Sequence, residues 1–110
     1  FRHFLSEIGW EIVREEMIKE DGKFYPMMKA VRNNSGKKTV YTEEEAWFGP
    51  LLLEKRHPVL KEYLLREEMI RKKILAGLSG AESVSAKTRL AEVKEEMELI
   101  HTALKRYESI

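Results

Sequence analysis

The spacing of apolar residues changes near residue 42, from short runs broken by turn residues to long stripes of helical period. Phe1, Leu5 and Ile8 share one helical face, and Gly9 stands where such a helix would stop. The next stretch, Trp10 to Lys19, fits two periods. Trp10, Val13 and Met17 recur at helical spacing, but with Ile8 and Ile12 that helix would be apolar on two faces. Asp21-Gly22 follows at once, the dipeptide of a tight hairpin whose central residues need positive φ. Phe24, Tyr25, Met27, Met28 and Val31 then form a β-compatible run, with Pro26 suited to an edge. Asn33-Asn34-Ser35-Gly36 is a second turn, and Lys38-Thr39-Val40-Tyr41 a third short strand. The expected architecture at about 10–41 is therefore a three-stranded antiparallel meander. A helix over 3–19 followed by a two-stranded hairpin is the alternative.

Thr42-Glu43-Glu44-Glu45 reads as a capping box, with acidic residues at the positive end of the helix dipole. That linking helix ends near Gly49-Pro50. From Pro58, at a favoured first helical position, to Ala76 the pattern is again helical, with Leu60, Tyr63, Leu64, Ile70 and Ile74 on one stripe and Gly77 as the stop. The last helix is expected within 83–108.

Its seam is the clearest signal in the chain. Ala86, Leu90, Val93, Met97, Ile100, Leu104 and Tyr107 recur at spacings of 4, 3, 4, 3, 4 and 3. Such a narrow stripe needs a partner helix, and helix 58–76, joined by a short loop, would lie antiparallel to it. The match is imperfect, because Glu67 falls where that helix should be apolar, with Arg71 one turn on. Surplus apolar surface on the hairpin predicts docking to another protein or to a second copy. Val93, Met97, Ile100 and Leu104 would anchor that contact, and Glu67 and Arg71 would set its specificity.

Composition narrows the chemistry. The chain has 110 residues, no cysteine, and a net charge of +1 from 20 basic and 19 acidic groups. Disulfides and thiol catalysis are excluded, and no run is apolar enough for a membrane helix. All six glycines sit at turns or caps, so no glycine-rich phosphate loop is legible. The single Glu98-x-x-His101 step is half of what a helical di-metal site uses, and the paired carboxylates Glu15-Glu16 and Glu95-Glu96 point in different directions. No catalytic, cofactor or metal site is read. Nucleic-acid binding is the rival reading, through Arg32, Asn34, Lys37 and Lys38 at a hairpin tip and the Arg71-Lys72-Lys73 triplet.

The resulting expectation is an α+β single domain over 1–110: a meander, a short linking helix and a C-terminal two-helix hairpin. Its expected role is a cytoplasmic, non-enzymatic protein–protein interaction module that packs, in coiled-coil fashion, on another protein or on a second copy of itself. Size and composition suit a phage or mobile-element accessory protein, or an excised domain of a larger one.

Overall fold

The computed structural model describes residues 1–108. In chain order the elements are α1 (Arg2–Glu7), β1 (Trp10–Glu20), β2 (Lys23–Arg32), α2 (Glu43–Phe48), α3 (Pro50–Glu54), α4 (Pro58–Leu78) and α5 (Val84–Lys105). They gather into two compact units, Phe1–Lys61 and Glu62–Ile110.

In the first unit β1 and β2 pair antiparallel, from Trp10↔Arg32 to Glu20↔Lys23. The tight turn is made by Asp21 (φ +50°) and Gly22 (φ +76°), as the dipeptide dictates. A register shift between Ile12 and Arg14 leaves Val13 as the extra residue of a bulge. Strand side chains alternate between faces, so Ile12 and Glu15, three apart, could not otherwise share one. With the bulge, Ile12, Glu15 and Met17 are all buried. Leu5, Ile12 and Tyr41 form the core of this face, with Trp10, Met28, Ala30, Ala46 and Leu51 packed around it. The opposite face, with Ile18, Tyr25, Met27 and Val31, remains exposed.

The capping box at Thr42 forms in full: its side chain accepts from the Glu45 N–H, and Glu45 reaches back to the Thr42 N–H at 2.9 Å. The meander's third strand does not form. Residues 38–41 pair with no strand, and the sheet has two strands. Side chains hold this segment instead. Tyr41 is buried in the core while Val40 stands exposed, and the Ser6 hydroxyl donates to the Thr39 carbonyl. One lysine, one threonine and an outward valine leave too little apolar surface to bind a third strand to the hairpin.

In the second unit, Arg71 Nε donates to Glu96 Oε1 at 3.1 Å and His101 Nε2 lies 2.9 Å from Glu68 Oε2. Rising numbers on α4 thus meet falling numbers on α5, and the two are antiparallel. Helix α4 runs through Gly77 to Leu78, and the turn comes at Gly80, where φ is +79°. Ser83 caps α5 by accepting from the Ala86 N–H. Along the seam Val93, Met97 and Ile100 are buried, with Ala103 beside them, while Leu104 is partly buried. The middle of the stripe is thus core within one chain, not a surface awaiting a partner. Truncating Ile100 to Ala should cost about 2–5 kcal/mol, read as loss of helical circular dichroism at lower urea. A loss under about 1 kcal/mol would mean that the seam is not core.

Candidate functional site

Adjacent residues on a strand face opposite ways, so Glu15 points into the first unit and Glu16 out of it. Glu15 is 1% exposed. A carboxylate removed from water must be met by cations or N–H donors. Arg2 Nε, from α1, donates to Oε2 at 2.9 Å, and the Leu51 N–H, in the first turn of α3, donates to Oε1 at 2.8 Å. Arg2 Nη1 also donates to the Ala46 carbonyl at 2.9 Å and, at 3.5 Å, to that of Trp47. Between α2 and α3, Gly49 has φ +100°, and a Cβ there would lie 2.7 Å and 2.9 Å from the two Glu15 oxygens. Both the dihedral and the contact require glycine. One ion pair therefore locks α1, β1 and the α2–α3 junction, and its charges are consumed in doing so.

Outside, Lys55 contacts the Glu16 carboxylate and donates to the Glu15 carbonyl at 2.9 Å. His57 Nε2 approaches Glu16 at 3.4 Å while its Nδ1 accepts from the Val59 N–H at 3.2 Å. The hydrogen bond from Lys55 holds the Glu16 carboxyl below the usual carboxylate range, against a smaller opposing effect of desolvation.

Two open clefts flank this cluster. One, of about 580 Å³, is lined by Val13, Arg14, Glu15, Glu16, Leu51, Glu54 and Lys55. The other, of about 370 Å³, is lined by Arg14, Glu16, Met27, Met28 and Lys29. Arg14 and Lys29 stand directly opposite each other on the ladder.

The residues singled out from sequence do not converge. Arg32, Asn34, Lys37 and Lys38 surround a turn ordered by Asn33, whose side chain donates to the Lys37 carbonyl at 2.9 Å and accepts from the Ser35 N–H at 3.0 Å. The basic triplet fans around α4, because consecutive residues diverge by about 100°. Arg71 joins Glu67 (3.4 Å) to Glu96, Lys72 lies 3.8 Å from Glu68, and Lys73 is exposed. Glu67 also accepts from the Tyr63 hydroxyl at 3.2 Å, so its charge is answered within the chain. Arg2 carries no signal in the sequence, and Glu15 stands out there only as half of an adjacent carboxylate pair. The signal available was the adjacent pair Glu15-Glu16, one of which any strand must turn inward. Among the described residues no group of three metal-ligating side chains forms, and no helix is long and apolar enough to cross a membrane.

The profile of the TrmK family, tRNA (adenine(22)-N(1))-methyltransferase, matches residues 1–102. The chain belongs to this family. No curated protein matches it. Among solved structures, an uncharacterized protein from Listeria monocytogenes serotype 4b aligns at TM-score 0.85 and 25% identity, over 94% of this chain and 45% of its own. The Bacillus subtilis M1A22 tRNA methyltransferase TrmK aligns at 0.79 and 22%, over 94% and 45%. Streptococcus pneumoniae Sp1610, in complex with S-adenosyl-L-methionine, aligns at 0.74 and 20%, over 94% and 41%. The chain thus spans less than half the length of the structures it matches. A Streptococcus agalactiae protein in the NADB-Rossmann superfamily aligns at 0.77 and 22%, over 94% and 41%, whereas the sheet of this chain is a two-stranded antiparallel ladder.

TrmK membership overturns the expected non-enzymatic interaction module, with its protein or self-association partner and its phage or mobile-element setting, because the family is one of enzymes named for tRNA methylation. The apolar seam that points to a partner protein is filled by the chain itself, and the structures the chain matches are more than twice its length.

Replacing Arg2 by Met should cost about 3–5 kcal/mol, since it strands a buried carboxylate, and adding Glu15→Met should recover part of that loss. Urea denaturation of the single and double variants checks this. A depressed carboxyl stabilises the fold above its unfolded pKa and loses that contribution as pH falls through the folded one. Lys55→Gln should therefore raise the Glu16 midpoint in an NMR carboxyl titration. An unmoved midpoint would remove Lys55 as the cause.

Proposed function

We propose that this chain forms the RNA-holding share of a tRNA (adenine(22)-N(1))-methyltransferase, with S-adenosylmethionine held elsewhere in the enzyme. The carrying observation is the family match over residues 1–102, in a chain whose described residues do not suit the cofactor. Rossmann-like proteins hold such groups at a glycine-rich turn, beyond the carboxyl ends of parallel strands. Here the ladder is antiparallel, and the glycines with positive φ (Gly9, Gly22, Gly36, Gly49 and Gly80) are scattered one to a turn. The larger cleft offers Glu15, already spent on Arg2, and otherwise charged walls with only Val13 and Leu51 apolar. When bound, the cofactor supplies an electrophilic methyl group; no residue described here is placed at the reacting atoms.

Exposed cations support the RNA side of this reading. Arg32, Lys37 and Lys38 are presented on the Asn33-ordered turn, a shape suited to phosphate contact. A tRNA substrate also accords with the cytoplasmic expectation. The chain should bind an unmodified tRNA transcript with an affinity that falls steeply with salt. Isothermal titration with S-adenosylmethionine should show no binding. Micromolar cofactor binding, or no retention of tRNA at low salt, would overturn the proposal.

A further inference from the structure

Charged residues of the second unit are answered very unevenly. On one flank of α5, Arg89 pairs with Glu92 (3.5 Å) and Glu96 (3.6 Å), and Arg71 of α4 joins the same Glu96. On the other flank His101 meets Glu68, which also faces Lys72. Beyond that contact lie Lys87, Lys94 and Lys105, all exposed, with no carboxylate partner among the described residues.

Their spacing puts them in line. Lys105 is eighteen residues, or five full turns, after Lys87, and Lys94 falls within about 20° of both. The row runs about 27 Å along the helix, at 1.5 Å per residue. Glu98 is the acidic residue interleaved in it, so the row keeps a positive balance.

Ordinary helix electrostatics accounts for one of the three. Lys105, in the last turn, complements the dipole. Lys87 closes the first turn, where the dipole disfavours a cation, and that turn has no acidic residue to offset it. Lys94 has no dipole to answer, and it forms no ion pair with Glu98, its neighbour one turn on. A row of like charges outnumbering the one glutamate beside it is suited to an extended polyanion.

Building on the proposed tRNA substrate, we propose that Lys87, Lys94 and Lys105 form a phosphate-binding row that seats the tRNA backbone along α5. Ammonium groups act as point charges, and the row carries no aromatic residue on which a base could stack. It therefore positions the RNA without reading its bases.

The test is fluorescence anisotropy of this chain with a labelled unmodified tRNA transcript across a salt series. Lys87→Gln/Lys94→Gln/Lys105→Gln should weaken binding at least tenfold near 0.1 M salt and flatten the log-affinity against log-salt slope by about 2–3. Single variants provide a matched comparison: Lys94→Gln should flatten the slope by about 1, and Lys73→Gln on α4 by much less. Circular dichroism verifies folding, and these exposed substitutions leave the seam intact. Wild-type binding with an unchanged triple variant, or an equal effect from Lys73→Gln, would overturn the row alone. Failure of the wild type to bind at low salt would overturn the RNA-holding reading with it.

Discussion

A carboxylate taken out of water must be met on all sides, and Glu15 is the place where this chain meets that requirement. Its two oxygens bind Arg2 of α1 and the Leu51 amide of α3, and Arg2 reaches on to the carbonyls that end α2. A two-stranded ladder is marginal on its own in water. Here its inner face is closed by helices held on one buried charge pair, and Gly49 supplies the room that pair needs. The bulge at Val13 turns Glu15 to that side. Hairpin, short helices and glycine turn are thus interdependent.

The local elements were largely legible. Asp21-Gly22, the Thr42 capping box, Pro58 and the last heptad seam each carry their own instruction, and each forms where residue chemistry places it. Residues 38–41 resemble a strand because they are β-compatible residues after a turn, yet they form none. Whether they pair depends on tertiary competition, and burial of Tyr41 wins it. The Arg2–Glu15 pair was illegible for a related reason: it joins residues 13 apart through a bulge, and no local period registers a bulge.

Function was harder to read, and the seam explains why. Its regularity suggested surplus apolar surface, yet Val93, Met97 and Ile100 are occluded inside the chain. What remains outside is charge, and charge carries information only once its partners are known. The Arg71-Lys72-Lys73 triplet looks like a patch in one dimension and disperses around α4 in three. Lys87, Lys94 and Lys105 look scattered in one dimension and align along α5. On the proposed function, tRNA is the polyanion such a row would meet.

Amide chemical-shift mapping of the isotope-labelled chain, titrated first with a tRNA transcript and then with S-adenosylmethionine, bears most directly on this account. The tRNA should shift amides along α5 from Lys87 to Lys105 and in the turn after β2, while Glu15 and Leu51 stay still and the cofactor moves nothing. A silent tRNA titration, or shifts around the β1 clefts on adding the cofactor, would contradict it.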